Sequence, residues 1–365
     1  METVDAVIVG SGVVGLAIAR VLSLRGIQTL VLECQDKFGT ETSSRNSEVV
    51  HAGIYYRRGS FKARLCVKGR DNLYTFCEQK GVGYRQCGKL VVGTSNVQLR
   101  ELRNIQRVAL DNGVSLSLMS RGEVLEMEPQ LCCMGAVYSP MTGIVDSHEF
   151  MLALLGDAQL FGAIVTFNTR VTRITPVSDG FLVGVNGGDP QVKASRVVNS
   201  AGLHAVDVAR SIDMYPAGLI PSVQFNKGCY FSFRGKCPFS HLIYPIPTCG
   251  GLGIHLTFDL AGRARFGPDA QWINKFNYDV DLSRVDTFYQ SIREYWPLLP
   301  DDSLMPAYAG IRPRITDAGG VPADFRIDGP GVHGIRGLVN MFGIESPGLT
   351  ASLAIGDYVA DLVLF

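Results

Sequence analysis

The decisive stretch of this chain is short: Gly10-x-Gly12-x-x-Gly15, set between the apolar run VDAVIV and the helix-patterned VVGLAIARVLSLRG. Glycines at this spacing suit a turn from strand into helix. Gly10 permits the turn, Gly12 clears room for a diphosphate at the positive end of the helix, and Gly15 lets helix and strand approach closely. The flanking pattern agrees. A strand is expected over 4–9 and a helix over 13–25, where Val14, Ile18, Val21 and Leu22 recur at helical spacing and Gly26 ends it. A second apolar strand over 28–33 closes on Glu33, an acid placed to accept hydrogen bonds from ribose hydroxyls. Strand, turn, helix, strand and acid in register predict a dinucleotide-binding βαβ unit, which a bare glycine triplet would not.

Further along, a helix is expected at about 60–80, capped by Ser60 and ended by Gly81. Strands are expected over 84–94 and 135–146, and another helix over 148–161. From 164 to 200 the pattern alternates in RVTRITPV and FLVGV, with NGGD as hairpin chemistry, before RVVNSAG returns to a buried strand. A second β-rich block covers 223–267, with Cys249-Gly250-Gly251 as a hairpin turn. Ser283, with Asp286 three residues on, is expected to start a helix that carries Val285, Phe288, Ile292 and Tyr295 on one side and stops at Pro297. The last segment reads as strand, Pro-Gly turn and terminal helix. The expected fold class is α/β (α+β), a Rossmann-like domain assembled from 1–83, 146–215 and 306–365, with a β-rich domain from 84–145 and 216–305 inserted into it.

Composition narrows the function classes. Hydrophobic residues make up 46% and charged residues 19%, which suits a compact body with a large core. Lys plus Arg and Asp plus Glu are 34 each, so no global field favours nucleic acid or an anionic membrane. Nine cysteines without a C-x-x-C pair indicate neither a disulfide framework nor a zinc site, and reduced thiols are expected, including the adjacent Cys132 and Cys133. No metal is expected. No uncharged run reaches the ~18 residues of a membrane span, although peripheral membrane contact stays open. The start of the chain runs almost directly into a strand, so a cytoplasmic location is expected.

The glycine fingerprint is shared by NAD and FAD sites, and the choice between them comes from a resemblance. The segments TSSRNSEVVHAGIYY, KARLCVKGR, CGKLVV, TGIVDSH, VVNSAGLHA, YPIP, GLGIHLT, FGPD, GIRPR and LVNMFGIESPGLTASLAIGDYVA occur in order along nearly the whole chain. This series resembles the glycine-oxidase and D-amino-acid-oxidase superfamily of FAD enzymes, and more closely its L-2-hydroxyglutarate dehydrogenase family. The resemblance implies FAD as cofactor and oxidation of an L-2-hydroxy acid, foremost L-2-hydroxyglutarate, to the 2-oxo acid. It implies a small dicarboxylic hydroxy acid as partner, and a quinone, a carrier protein or oxygen as electron acceptor. An amine or amino-acid oxidase on the same scaffold is the alternative.

Residue by residue, Thr42, Ser43, Ser44, Arg45, Asn46 and Ser47 supply hydroxyl, amide and guanidinium groups suited to the pyrophosphate, the ribityl chain and the flavin edge. The resemblance extends the cofactor contacts to Val14, Val171, Ala201, Gly202, Gly310 and Gly343. It adds Pro347, Gly348, Leu349 and Thr350, where a helix start would face the negative charge of reduced flavin. His51 lies where relatives place a residue beside the flavin ring, and stands as catalytic base or flavin-orienting partner. His255, on an alternating strand, is a second candidate base. Arg312, in an apolar setting, is the candidate carboxylate anchor, since a guanidinium meets a carboxylate through two parallel bonds. Lys227, Tyr230 and Tyr244 are further substrate-facing candidates.

Overall fold

The computed structural model describes residues 1–246, 253–316 and 323–364. The hairpin turn expected at Cys249-Gly250-Gly251 lies outside them. The chain forms two compact units, one from Met1–Ser44, Ser147–Phe225 and Arg312–Phe365, the other from Arg45–Asp146 and Asn226–Ile311. Residues 45–83, expected with the nucleotide-binding pieces, belong by contact to the second unit. Val67 of the helix Phe61–Lys80 packs on that unit's core, and the Asn112 amide donates to the carbonyls of Gly53 and Tyr56.

In the first unit the strand Glu2–Val9 lies between Thr29–Leu32 and Pro190–Asn199, parallel to both, and Leu338–Phe342 runs parallel to the end of Pro190–Asn199. The register places Val9 beside Leu32 and Asn199, and Asn199 beside Asn340, so the carboxyl ends of these strands lie level. Ligands of open parallel sheets bind at such ends. The amino-terminal part of Pro190–Asn199 pairs antiparallel with Gly180–Val185, which continues to Val171–Val177. The NGGD turn joins the first two of these, with Asn186 and Gly187 at φ 53° and 75°, the left-handed region that Asn and Gly tolerate. The helix Val13–Leu24 packs against the terminal helix Gly348–Leu364, and a Cβ at Gly356 would stand 3.0 Å from the Ala17 carbonyl oxygen.

The second unit is built on a nine-stranded sheet and a small three-stranded one. Its core joins Leu90, Val92, Ile243, Leu256, Phe231 and Phe266 to Phe288, Ile292, Tyr295 and Trp296. The helix Phe61–Lys80 starts and stops as expected: the Ser60 hydroxyl accepts from the Ala63 N–H, and Gly81 takes φ 69°. The helix expected at Ser283 begins differently. Asp281 caps a 3-10 turn over Leu282–Arg284 by accepting from the Ser283 N–H and hydroxyl, and the α-helix runs only over Val285–Arg293. The Asp281 carboxylate, two residues earlier, accepts both Ser283 donors at once and so serves as the cap. Two helices without a sequence expectation, Asn96–Asp111 and Arg121–Met127, open with legible capping boxes: Gln98 accepts from the Ser95 N–H, and Glu123 from the Ser120 N–H.

Candidate active site

In the first unit the glycine turn is built as the spacing requires. Gly10 leaves the first strand at φ 99°, and a Cβ there would stand 2.9 Å from the Ser200 carbonyl oxygen. A Cβ at Gly15 would stand 2.0 Å from the Gly10 carbonyl oxygen, so helix and turn touch through bare backbone. Gly12 is the N-cap of Val13–Leu24 and has no side chain to cap it, and the first turn carries no acid. The Ser43 hydroxyl accepts from the Val13 N–H at 3.0 Å. The positive end of the helix is therefore kept clear of negative side chains, as an anionic diphosphate requires. Glu33 is buried, with Oε2 accepting from the Ser11 N–H and hydroxyl at 2.8 and 2.9 Å and Oε1 from the Gln35 N–H at 2.9 Å. Cleared glycines, an open helix end and a firmly held acid at level strand ends fit a dinucleotide cofactor.

The remaining expected cofactor residues fall into groups. Val14 lies in the first turn of that helix, Ala201 and Gly202 lead the short turn after Pro190–Asn199, and Gly343 (φ 66°) follows Leu338–Phe342, all at carboxyl ends of the sheet. Pro347 precedes the terminal helix, which starts at Gly348, and Gly348 and Thr350 are buried while no acid occupies the first turn. Val171 is a member of the first unit's core cluster, packed with Ile174, Phe181 and Leu338. The polar loop divides between the units: Thr42, Ser43 and Ser44 with the first, Arg45, Asn46 and Ser47 with the second. In the second unit Gly310 has a packing reason of its own, since a Cβ there would stand 2.0 Å from the Arg45 carbonyl oxygen. The Arg45 guanidinium lies over the Tyr278 ring at 4.4 Å, the Asn46 carbonyl accepts from the Tyr308 hydroxyl at 2.6 Å, and the Ser47 and Tyr230 hydroxyls are 2.9 Å apart.

The second unit's large sheet separates its two sides by strand alternation. Phe231 stands beside Phe266, Phe266 beside Leu256, and Leu256 beside Ile243, which gives one apolar side covered by Phe288 and its neighbours. Their chain neighbours Tyr230, Arg265, His255 and Tyr244 therefore face the other way. Lys89 joins them: it pairs with Leu242 and Val91 with Tyr244, so all four side chains share a face. On this polar side the Tyr244 and His255 rings stack at 3.6 Å and 8°, and Tyr230 stacks on Tyr308 at 4.5 Å. Arg265 reaches Glu48 at 2.8 Å and the Tyr308 hydroxyl at 3.2 Å.

His51 follows the two-residue strand Val49–Val50, with its carbonyl accepting from the Cys66 thiol at 3.4 Å. Loss of water around the imidazole, then the charges of Lys89 and His255, push its pKa down to about 3, so the ring is neutral near neutral pH. Lys89 is fully buried, its ammonium lies over the rings of Tyr244 and Tyr55 at 4.4 and 5.0 Å, and burial pushes its pKa down to about 7.

Of the expected substrate residues, the fold thus brings His51, His255, Tyr244 and Tyr230 to one unit, with Tyr244 and Tyr230 on one sheet face and His255, just before the strand Leu256–Phe258, stacked on Tyr244. Lys227 keeps step with Cys229 and Phe231, so alternation turns it toward the opposite side, where its charge acts on Cys229 and Asp281. Arg312 is half-buried near the end of the strand Leu304–Arg314 and belongs by contact to the first unit, where its neighbour Arg314 pairs with Glu345 at 3.2 Å. Lys89, Tyr55, Arg265 and Tyr308 had no sequence expectation. For Lys89 the signal is a lone lysine opening the run KLVVG, all five residues of which are buried. Among the described residues no group of His, Cys, Asp and Glu could hold a metal ion, the eight cysteines are free, and no helix is long and apolar enough to cross a membrane.

Comparison with known proteins gives the scaffold its place. Residues 5–362 match the family model for FAD-dependent oxidoreductases. The chain is 43% identical to the mitochondrial L-2-hydroxyglutarate dehydrogenase of Arabidopsis thaliana, covering all of this chain and 84% of that protein. It is 32% identical to the enzyme of the same name from Pongo abelii, covering 98% of this chain and 87% of that one. Among solved structures it is similar to the dithionite-reduced L-α-glycerophosphate oxidase of Mycoplasma pneumoniae with FAD bound, at a TM-score of 0.91 and 24% identity over all of this chain and 96% of that one, a likeness of fold. The level strand ends, the glycine turn and the full-length similarity converge: the chain is an FAD-dependent oxidoreductase and belongs to the L-2-hydroxyglutarate dehydrogenase family.

Proposed function

We propose that this protein oxidises L-2-hydroxyglutarate to 2-oxoglutarate, with the first unit as FAD-binding domain and the second as substrate domain. The observation that carries the reading is the polar side of the second unit's sheet, where imidazole, phenol and ammonium groups gather beside a neutral His51. Relatives with the same name along the full chain support the choice of substrate. FAD, when bound, would supply the two-electron, hydride-accepting chemistry that oxidation at C2 requires. His51, neutral at working pH, takes the proton of the C2 hydroxyl as the carbonyl forms. His255, stacked on Tyr244, presents a ring of fixed orientation to the same region. Arg312 is assigned to a substrate carboxylate, which its planar fork suits. Gly12, Gly15, Glu33, Ser43 and the start of the terminal helix are assigned to the cofactor.

The test is anaerobic bleaching of the flavin by a panel of 2-hydroxy and 2-amino acids, followed by turnover with a dye, a quinone and oxygen. L-2-hydroxyglutarate is expected to reduce the flavin at least tenfold faster, per unit concentration, than L-lactate or L-2-hydroxybutyrate. Reduction by amino acids instead would move the protein to amine oxidation on the same scaffold. The acceptor that sustains the fastest turnover identifies the electron-transfer partner class.

A further inference from the structure

Lys89 is buried without exposure, and among the described residues its ammonium has no hydrogen-bond partner. Among the described residues, the ionisable groups facing it are His51 after Val49–Val50, Tyr55 in the following loop, Cys66 on the helix Phe61–Lys80, Tyr244 on the adjoining strand, and His255 stacked on Tyr244, while the strand on its other side brings Ser139. None of the five is a carboxylate. The two ring faces attract the positive charge without accepting its N–H bonds, so three donors stay unspent. A buried ammonium in this condition is costly, and a fold retains it where something outside the chain completes it. Of the two tyrosines, Tyr244 is buried and Tyr55 is partly exposed as a residue.

We propose that Lys89 receives the distal carboxylate of the substrate and thereby makes the site select a dicarboxylic over a monocarboxylic 2-hydroxy acid. This rests on the substrate reading above. The ring faces hold the ammonium in place, the carboxylate supplies the acceptors that the protein withholds, and a monoacid leaves the three donors unpaired. Because burial holds the free amine near a pKa of about 7, an arriving carboxylate must draw a proton from solvent above that pH to form the ion pair. Binding of the diacid and uptake of a proton are thus one event.

The experiment is titration calorimetry on the FAD-loaded protein and its Lys89→Met variant, with glutarate and butyrate as probes that lack the reacting hydroxyl, at pH 8 in buffers of different ionisation enthalpy. The parent is expected to bind glutarate ~10- to 100-fold more tightly than butyrate, the span of one charge-assisted contact, while taking up close to one proton. Lys89→Met is expected to bind the two alike, with butyrate affinity unchanged and no proton uptake. A variant that keeps both the preference and the uptake overturns the assignment to Lys89 and leaves the substrate reading standing. A parent that is reduced by L-2-hydroxyglutarate yet takes up no proton on binding glutarate overturns it as well, whether or not the variant folds. A parent with no preference for glutarate and no reduction by L-2-hydroxyglutarate overturns the substrate reading, and this proposal with it.

Discussion

Two buried charges, Glu33 in the first unit and Lys89 in the second, are treated in opposite ways. Glu33, at the end of the second strand of the first unit, is surrounded by donors from Ser11 and Gln35, two of them backbone N–H groups. Lys89, at the start of a strand of the second unit, has no hydrogen-bond partner among the described residues and lies over the rings of Tyr55 and Tyr244. The first arrangement satisfies a charge from within, and such a charge orients the turn that it binds. The second leaves donors unspent, at a cost to folding that only a ligand can offset. A held charge therefore marks where the scaffold is rigid, and an unheld one marks where chemistry from outside is expected.

The comparison is broken most completely by removing the framework around Glu33. Gly15→Val places branched carbons against the Gly10 carbonyl, where even a Cβ would be 2.0 Å away, and is expected to yield protein without bound flavin by its visible absorbance. Next comes the cost of the unheld charge itself. The folded-state pKa of Lys89 lies below its ordinary value, so the unfolded chain binds more protons between about pH 7 and 10.5, and stability contributed at this site rises with pH across that window. Lys89→Met is therefore expected to stabilise the protein by up to about 5 kcal/mol below pH 7, a gain that fades toward pH 10.5. Denaturant unfolding at several pH values measures it; a variant less stable than the parent at pH 6 would show that the ammonium is internally satisfied after all.

The opposite sign is expected for the held charge. Glu33→Ala strands the buried N–H of Ser11 and the part-buried N–H of Gln35, at a cost of about 1–3 kcal/mol, readable as a lowered unfolding midpoint in the same assay. The catalytic reading is sharpened by His51→Ala, expected to slow anaerobic flavin reduction by ~10²-fold with FAD still bound. Since the imidazole of the parent is neutral down to about pH 3, the reduction rate is not expected to fall from protonation of His51 between pH 5 and 8. A rate that drops through a midpoint near 6.5 in the parent and not in His51→Ala would place an ordinary, water-exposed histidine there.

Much of the first unit was legible because its signals are local. Gly10 and Gly81 adopt the positive φ that glycine alone takes without strain, Ser60 reaches an N–H three residues on, and NGGD turns within four residues. The capping boxes at Ser95 and Ser120 are equally local, whereas near Ser283 the Asp281 carboxylate outcompetes the serine as the cap. The polar loop over 42–47 reads as one cradle in sequence, but its halves pack with different units, because packing follows the neighbours of each residue and not its place in a run.

What the chain by itself determined is the dinucleotide turn, the acid that follows it and the family, all carried by short spacings whose geometry depends on a few φ angles and one helix end. What only the tertiary structure decided is which side of a strand each side chain faces. Lys89 meets Tyr244 because residues 89–92 pair with 242–245 far along the chain, and Lys227 turns away from Tyr230 because Phe231 pairs with Phe266. A strand has period two, so one step of register moves every side chain to the other face, and that register is set by distant partners which no local pattern contains.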